Sequence, residues 1–202
     1  QEICRIDAKN ARLPLYSIAL GNPAPELPAL GFFGGLHGLE RIGTAVVLAY
    51  LNNLVTRLRW DNALQRRLES VRLVFMPLIN PGGMLHGTRS NPHGVDLMRN
   101  APIEAHKRVP FMLGGQRLSR ALPWFRGVQN APMEAENKAV CHVVAHELLS
   151  HRFSLSVDCH SGFGLRDRIW FPYAHTTAPI EHLAEIHALK MIYDASYPHH
   201  NY

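Results

Sequence analysis

The stretch LPALGFFGGLHGLE, residues 27–40, decides the fold class of this sequence. Its first half is an apolar run of strand length, and Gly34-Gly35 then supplies a tight turn. Beyond the turn, apolar residues recur at helical spacing, which predicts a helix over about residues 40–58. The residues with that spacing are Ile42, Val46, Tyr50, Leu51 and Leu54. A buried strand, a glycine turn and a helix in this order are typical of an α/β fold.

The same alternation continues along the chain. Two further strands and two further helices are predicted, at residues 71–78, 153–158, 134–149 and 178–193. Residues 79–130 are rich in Gly, Pro and Asn and predict a long irregular segment, a feature that often carries function. The sequence therefore predicts one α/β domain over residues 1–202, with a mainly parallel mixed central sheet and helices on both faces.

The composition is that of an ordinary globular protein, with 47% hydrophobic and 18% charged residues among 202. No run of eighteen apolar residues occurs, so we expect no membrane partner. The formal net charge is +5, but acidic residues interrupt the densest basic run at 57–72, so we expect no nucleic-acid partner. Three cysteines without a CxxC pair fit reduced thiols, and no signal peptide is visible, so we expect a cytoplasmic location.

His37 and Glu40 form an HxxE pair where the predicted strand and glycine turn pass into the helix. Catalytic zinc takes three protein ligands, and two His with one Glu is a recurrent set. The third ligand has to come from elsewhere, and His160 is the candidate because it directly follows a predicted strand. The carboxyl ends of parallel strands share one edge of a sheet. On the residues alone, a metal site and an ordinary structural role remain equally open.

Two other histidine patterns resemble metal motifs in poorer context. His182 and Glu185 form a second HxxE inside the last predicted helix, which predicts an ordinary pair of helical neighbours. In HVVAHELLSH, residues 142–151, His146 and His151 are five positions apart, or about 140° around a helix. His146 and His151 therefore cannot comfortably share a metal ion. His142 and His146 share one helix face opposite the valines, and we predict that both are exposed to solvent.

Three segments together resemble the signatures of the M14 zinc carboxypeptidases: GGLHGLERIG (34–43), INPGGMLHGTRSNPHGVDLMRN (79–100) and SVDCHSGFG (156–164). Their order and spacing resemble the family's pattern over roughly residues 28–195. The resemblance implies that His37, Glu40 and His160 hold one Zn²⁺ ion per chain.

The resemblance also implies roles for two neighbouring residues. Asp96 matches the carboxylate that accepts the far N–H of the first ligand histidine, which fixes the tautomer of that ring. Arg99 matches the arginine that pairs with the terminal carboxylate of the substrate. A guanidinium suits this role because it binds a planar carboxylate through two hydrogen bonds.

Two positions depart from the family pattern, and a third position is the candidate substitute for one of them. Met98 replaces the asparagine that helps bind the substrate carboxylate, which leaves Arg99 and Met98 as the substrate-binding candidates. His86 replaces the arginine that polarises the scissile carbonyl. Arg89, in the family's Thr-Arg position, is the candidate substitute, so Arg89 and His86 are the catalytic candidates.

The family's general-base glutamate, and the tyrosine that folds over the substrate, lie downstream of the last predicted helix. We therefore expect the domain to be truncated at its C-terminal end, and these 202 residues alone to show weak or no turnover. The resemblance also predicts cis peptide bonds at Ser161-Gly162 and Pro172-Tyr173.

The predicted function is zinc-dependent hydrolysis of a peptide or peptide-like amide, in the manner of a metallocarboxypeptidase. One alternative is an N-acyl amino acid deacylase similar to the aspartoacylase and succinylglutamate desuccinylase group. Another is an inactive zinc-binding module, which the departures at Met98 and His86 favour. The expected substrate is thus a peptide or an N-acyl amino acid. The sequence gives no indication of the oligomeric state.

Overall fold

The computed structural model describes residues 1–107, 109–110, 112–162 and 169–198. In these residues four strands come first, and five helices and two further strands follow; a π-helical turn (Val144–Leu148) continues the fourth helix. The strands are β1 (Glu2–Ala8), β2 (Ala11–Tyr16), β3 (Ile18–Gly21), β4 (Ala29–Gly34), β5 (Arg72–Met76) and β6 (Ser154–Cys159). The helices are α1 (Arg41–Arg57), α2 (Asn62–Leu68), α3 (Pro81–His86), α4 (Ala135–Val143) and α5 (Leu183–Ser196).

Four strands form the central sheet in the order β3-β5-β4-β6. Strand β4 runs parallel to both β5 and β6, and β3 pairs antiparallel with β5 at one edge. Strands β1 and β2 form a separate antiparallel hairpin. The predicted α/β architecture, with a mainly parallel mixed sheet, is confirmed.

Helices cover both faces of this sheet because successive strand residues point to opposite sides. On β5, Val74 and Met76 face a cluster that includes Val143 of α4. Leu73 and Phe75 face the opposite cluster, which includes residues of α1 and α2. The buried residues of these two helices are Val47, Leu51, Leu54, Leu64 and Leu68.

The buried face of α1 differs from the predicted one. Leu51 and Leu54 are buried as expected, but Ile42 and Val46 are 68% and 53% exposed. The face that contacts the sheet instead runs through Gly43, Val47, Leu51 and Leu54. Gly43 was not an apolar signal, yet it sets this face because the helix crosses β6 there at very short range. A Cβ atom at Gly43 would lie 2.0 Å from the carbonyl oxygen of Cys159.

Several short elements lie outside the sequence prediction. Helix α2 occupies part of the basic run at residues 57–72, and Asp61 caps it by accepting a hydrogen bond from the Leu64 backbone N–H at 2.9 Å. Helix α3 lies inside the segment predicted to be irregular, and Asn80 caps it through the Gly83 N–H. Strands β1 to β3 were also missed. Within the described residues, no helix has the length and apolarity needed to cross a membrane.

Candidate metal centre

The chain delivers His37 and Glu40 to the carboxyl end of β4 through a tight turn. Gly35, directly after β4, has a φ of +64°, a conformation that glycine adopts without strain. A Cβ atom there would lie 2.4 Å from the hydroxyl of Thr44 on α1, so the close approach of turn and helix also requires glycine. Glu40 is the residue immediately before α1, and its backbone N–H donates to the carbonyl oxygen of His37 at 3.0 Å.

The structure brings His37, Glu40 and His160 together. One potential ligand atom from each residue lies within 4.8 Å of the other two, and within the described residues this is the one such group of three. His37 Nδ1 lies 2.9 Å from Glu40 Oε1, and the rings of His37 and His160 are 4.9 Å apart between centroids. His37 and Glu40 are 2% and 5% exposed, whereas the His160 side chain is 26% exposed. His160 is therefore the member of the group that is accessible to solvent.

Glu40 also joins the two parts of the chain that form the group. Its second oxygen, Oε2, accepts a hydrogen bond from the Ser161 backbone N–H at 2.8 Å. Ser161 follows His160 directly, so this bond fixes the end of β6 against the start of α1. The close packing of Gly43 against Cys159 acts on the same two elements.

Asp96 lies behind His37, as the resemblance implied. Its Oδ1 lies 3.2 Å from His37 Nε2 and also accepts the Met98 backbone N–H at 3.0 Å. Burial by itself raises the pKa of Asp96, but the hydrogen bonds from His37 and Arg89 outweigh it and lower the pKa to about 2. Because an ionised carboxylate only accepts, the proton of a neutral His37 lies on Nε2.

This tautomer decides what the front of the site can bind. With the proton on Nε2, the Nδ1 lone pair of His37 faces a carboxylate oxygen of Glu40 at 2.9 Å. Two acceptor atoms at this distance repel each other unless a proton or a metal ion lies between them. A divalent metal ion satisfies this requirement, and two imidazoles with one carboxylate are a donor set that zinc prefers. The residues present therefore fit zinc.

Arg89 faces the carboxylates of the site. Its Nε donates to Asp96 Oδ2 at 2.9 Å, and its Nη1 lies 3.6 Å from Glu40 Oε1. The Arg89 side chain is 38% exposed, so one side of the guanidinium is accessible. The sequence placed Arg89 near the site but gave no sign of this double contact.

Asp158 is a residue that the sequence reasoning missed. Its Oδ2 lies 2.9 Å from His160 Nδ1. Burial lowers the pKa of His160, but the carboxylates of Asp158 and Glu40 outweigh it and raise the pKa above its ordinary value. The available signal was the spacing of two along a strand, which places Asp158 and His160 on the same side.

The other predicted site residues, Arg99, Met98 and His86, make no side-chain hydrogen bond or ion pair with the three donors in the described structure. Arg99 is partly buried, and its guanidinium has no ion-pair partner among the described residues. Met98 is 39% exposed. His86 is the exposed last residue of α3.

The alternative histidine patterns do not form metal sites in the described residues. His182 and Glu185 are 3.9 Å apart with side chains 66% and 70% exposed. His142 and His146 are both exposed, with ring centroids 4.2 Å apart. The predicted cis bonds are wrong: Ser161-Gly162 and Pro172-Tyr173 are trans, like the other peptide bonds described. The chain completes the turn after His160 through the positive φ of Gly162, which is +89°.

Fold and site together define a class of α/β proteins in which a His-Glu-His group sits at the carboxyl ends of neighbouring parallel strands. The chain belongs to the zinc carboxypeptidase family, M14, whose family model matches residues 10–202. This confirms the resemblance seen in the three sequence segments, and membership implies zinc as the metal.

Individual relatives are distant and longer. Carboxypeptidase D of Anas platyrhynchos is 25% identical over 197 residues, covering 91% of this chain and 12% of that protein. The crystal structure of thrombin-activatable fibrinolysis inhibitor matches with a TM-score of 0.72 at 18% identity, covering 98% of this chain and 51% of the other. The crystal structure of carboxypeptidase A from Helicoverpa armigera matches with a TM-score of 0.69 at 16% identity, covering 95% of this chain and 46% of the other. These structures support the fold, and the chain spans about half of their length.

Proposed function

We propose that this chain binds one zinc ion through His37, Glu40 and His160 and uses it to hydrolyse a peptide or peptide-like amide bond, as a metallocarboxypeptidase. The observation that carries the proposal is the convergence of three donor atoms from two distant parts of the chain within 4.8 Å. Family membership supports the hydrolase class. The substrate and the activity of the whole protein belong to the proposal.

The protein residues around the metal have separable roles in this scheme. Zinc bound there supplies a Lewis acid that polarises the scissile carbonyl and activates water. Asp96 keeps His37 in the tautomer that presents Nδ1. Arg99, whose guanidinium has no ion-pair partner among the described residues, is free to hold a terminal carboxylate through two hydrogen bonds. Met98 beside it offers a thioether in place of an amide.

Arg89 and His86 are the proposed cations for the charge that develops on the carbonyl oxygen. Arg89 is the stronger candidate because its Nη1 lies 3.6 Å from a ligand oxygen of Glu40. His86 is exposed at the end of α3, and it would act only if the substrate extends that far. A donor of this kind contributes on the order of 10²–10³ in rate in other hydrolases.

Hydrolysis also requires a base that takes a proton from water. Among the residues the structure describes, Glu40 is the only glutamate in contact with His37 or His160. Other glutamates near the sheet are engaged elsewhere, such as Glu134 with His93 and Glu147 with Arg72. We therefore propose that none of the described glutamates serves as the base, and that these 202 residues alone show weak or no turnover.

Zinc content is the first test. We expect about one zinc ion per chain by elemental analysis of the purified protein, and loss of zinc in His160→Ala. The matched control is His182→Ala, which removes a histidine from the exposed second HxxE. Equal zinc content in the wild type and His160→Ala would contradict the proposed ligand set.

A substrate comparison tests the reaction class. N-blocked dipeptides with a free C-terminal carboxylate should be cleaved in preference to the same dipeptides with a C-terminal amide, in a protein that supplies the base. Arg99→Ala should remove that preference mainly through KM. Cleavage of N-acetylaspartate or another N-acyl amino acid without cleavage of dipeptides would favour the deacylase instead.

A zinc-binding module without turnover is the second candidate. It is favoured by the observation that Arg89 is held by Asp96 and that His86 makes no hydrogen bond or ion pair with the three donors in the described structure. Stoichiometric zinc together with no hydrolysis of dipeptides or N-acyl amino acids by the full-length protein would decide for this candidate.

A further inference from the structure

Two histidines that the proposed zinc centre does not use meet where two irregular segments of the chain touch. His106 lies in the long irregular segment, and His175 lies in the stretch between β6 and α5. The His106 backbone N–H donates to the carbonyl oxygen of His175 at 2.9 Å, and the two imidazole rings are 4.8 Å apart between centroids. His106 is exposed and His175 is half-buried, with the Tyr173 ring 5.2 Å from it. A backbone hydrogen bond thus holds the two imidazoles side by side.

The ring geometry of this pair suits a shared metal ion. With metal–nitrogen bonds of about 2.0–2.1 Å, two imidazoles in neighbouring octahedral or tetrahedral positions of one ion have centroids roughly 4.5–5.2 Å apart. The observed 4.8 Å lies within this range, and the ring planes are inclined at 70°. The rings of His37 and His160 have nearly the same arrangement, at 4.9 Å and 81°. The pair therefore has the spacing of two ligands without being part of the zinc centre.

The ring nitrogens of His106 and His175 are available for such an ion. Within the part of the chain that the structure describes, neither side chain forms a hydrogen bond or an ion pair. Other exposed histidines are engaged: His93 Nδ1 lies 2.6 Å from a carboxylate oxygen of Glu134, and His146 Nδ1 lies 2.8 Å from a backbone carbonyl oxygen. A neutral imidazole keeps one lone pair. The two residues together therefore offer two nitrogen donors with no protein partner to displace.

We propose that His106 and His175 form a two-histidine site for a divalent transition-metal ion, with water at the remaining positions. Imidazole nitrogens suit Zn²⁺, Ni²⁺ and Cu²⁺, and the affinity rises from Ni²⁺ to Cu²⁺. The segment around His106 is itself held to the irregular region, because the Arg117 guanidinium donates to Glu104 Oε1 at 2.6 Å. An ion at this site therefore links the irregular region to the stretch that leads into α5. The inference does not depend on the proposed zinc centre.

Nickel binding, measured by isothermal titration calorimetry, tests the site in the full chain. The background protein is His146→Ala/His160→Ala, which lacks one ligand of the zinc centre and one member of the exposed helical pair. We expect about one Ni²⁺ ion to bind to it. His106→Ala and His175→Ala should each weaken this binding about 100-fold, because a second ligand in the same chain adds on the order of 10²–10⁴ in affinity. His182→Ala is the matched control, since it removes an exposed histidine elsewhere.

Two further measurements separate metal binding from a loss of structure. Saturating Ni²⁺ should raise the Tm of the background protein and leave the Tm of the His106→Ala and His175→Ala variants almost unchanged. With Cu²⁺, the electron paramagnetic resonance spectrum should show two coordinated imidazole nitrogens in the background protein and one in each variant. Unchanged Ni²⁺ affinity in both variants, or no bound Ni²⁺ in the background protein, would overturn the site. A lower Tm of the metal-free variants with unchanged Ni²⁺ affinity would show that the two rings only pack against each other.

Discussion

The Arg89 guanidinium bridges two carboxylates of the metal site: its Nε lies 2.9 Å from Asp96 Oδ2, and its Nη1 lies 3.6 Å from Glu40 Oε1. Asp96 in turn holds His37, so Arg89 is linked to two of the three donors. The cation offsets part of the repulsion between two nearly buried acids. A role at the substrate carbonyl and a role in holding the ligands make different predictions.

If Arg89 holds the ligands, Arg89→Ala should weaken zinc binding about tenfold, because Asp96 and Glu40 lose their shared partner. Chelator competition measures this, and Arg12→Ala, an exposed arginine on β2, is the control. If zinc affinity stays at the wild-type value while kcat falls on the order of 10²–10³, Arg89 acts on the substrate alone.

Gly38 is required by the close approach of the metal-site loop to α3. A Cβ atom there would lie 2.0 Å from the carbonyl carbon of Gly83 and 2.2 Å from the backbone nitrogen of Met84. Backbone atoms cannot move aside as a flexible side chain can, so we expect Gly38→Ala to cost about 3 kcal/mol in the free energy of unfolding. Chemical denaturation of the zinc-free protein measures it.

The control for this prediction is Gly87→Ala. Gly87 has a φ of +64° but nothing within 4 Å of a new Cβ, so only the backbone conformation opposes the change. We expect a loss of about 1 kcal/mol. Equal losses in the two variants would show that the contact between Gly38 and α3 is looser than the structure indicates.

Glu136 predicts a pH dependence of stability away from the metal. It is 1% exposed, and burial is the main reason that its pKa lies above the ordinary value of 4.5; nearby Glu134 adds to this, while the Asn91 amide and His93 oppose it. Burial, together with the carboxylates of Glu136 and Glu2, raises the pKa of the Cys4 thiol. The folded state therefore binds this proton more tightly than the unfolded state.

The contribution of Glu136 to the free energy of unfolding is therefore fully present below pH 4.5. It is lost as the pH rises through the raised pKa of Glu136 in the folded state. Glu136→Gln keeps an acceptor for the Asn91 amide and removes the titration. We expect the variant to be more stable than the wild type at pH 7, and its stability to change less between pH 4.5 and 7. Glu26→Gln is the control, because Glu26 is exposed. Urea unfolding at several pH values should give this variant the same dependence of the free energy of unfolding on pH as the wild type.

Two adjacent valines on α1 test the observed helix face. Val47 is 1% exposed and packs against the sheet, whereas Val46 is 53% exposed. We expect Val47→Ala to lower the free energy of unfolding by about 2 kcal/mol, and Val46→Ala to change it by less than about 0.5 kcal/mol. A larger loss in Val46→Ala than in Val47→Ala would contradict the observed helix face and support the one that the apolar spacing predicted.

The predictable part of the fold is the part encoded in clear local patterns of apolar residues. Strands β4 and β5 were found because buried strands have few polar interruptions, and β6 was found because polar and apolar residues alternate in SLSVDC. The β1–β2 hairpin was missed because polar residues alternate along it and Pro14 lies within β2, which argues against a strand by sequence alone. The face of α1 was misassigned because Gly43 carries no hydrophobic signal.

The site residues likewise divide into those that neighbouring sequence places and those that only the assembled fold brings together. His37 and Glu40 could be placed from sequence, since a strand, a turn and a helix start position both. His160 was a candidate because it follows a predicted strand, but only the family resemblance singled it out, since no local rule connects it with the first two residues. The contacts of Arg89 and Asp158 depend on side-chain direction within the assembled fold, which sequence spacing only partly determines.

The hydrogen bond between Glu40 and Ser161 joins positions 121 residues apart, and a metal ion held by Glu40 and His160 would act as a cross-link across the same long loop. Such an ion binds the native chain far better than the unfolded one, and stabilises it by about 2.7 kcal/mol when free zinc is a hundred times Kd. Chelation should therefore lower the Tm of the wild type and leave that of His160→Ala almost unchanged. Zinc would then be part of what keeps the strand that carries His160 docked, as well as part of the chemistry.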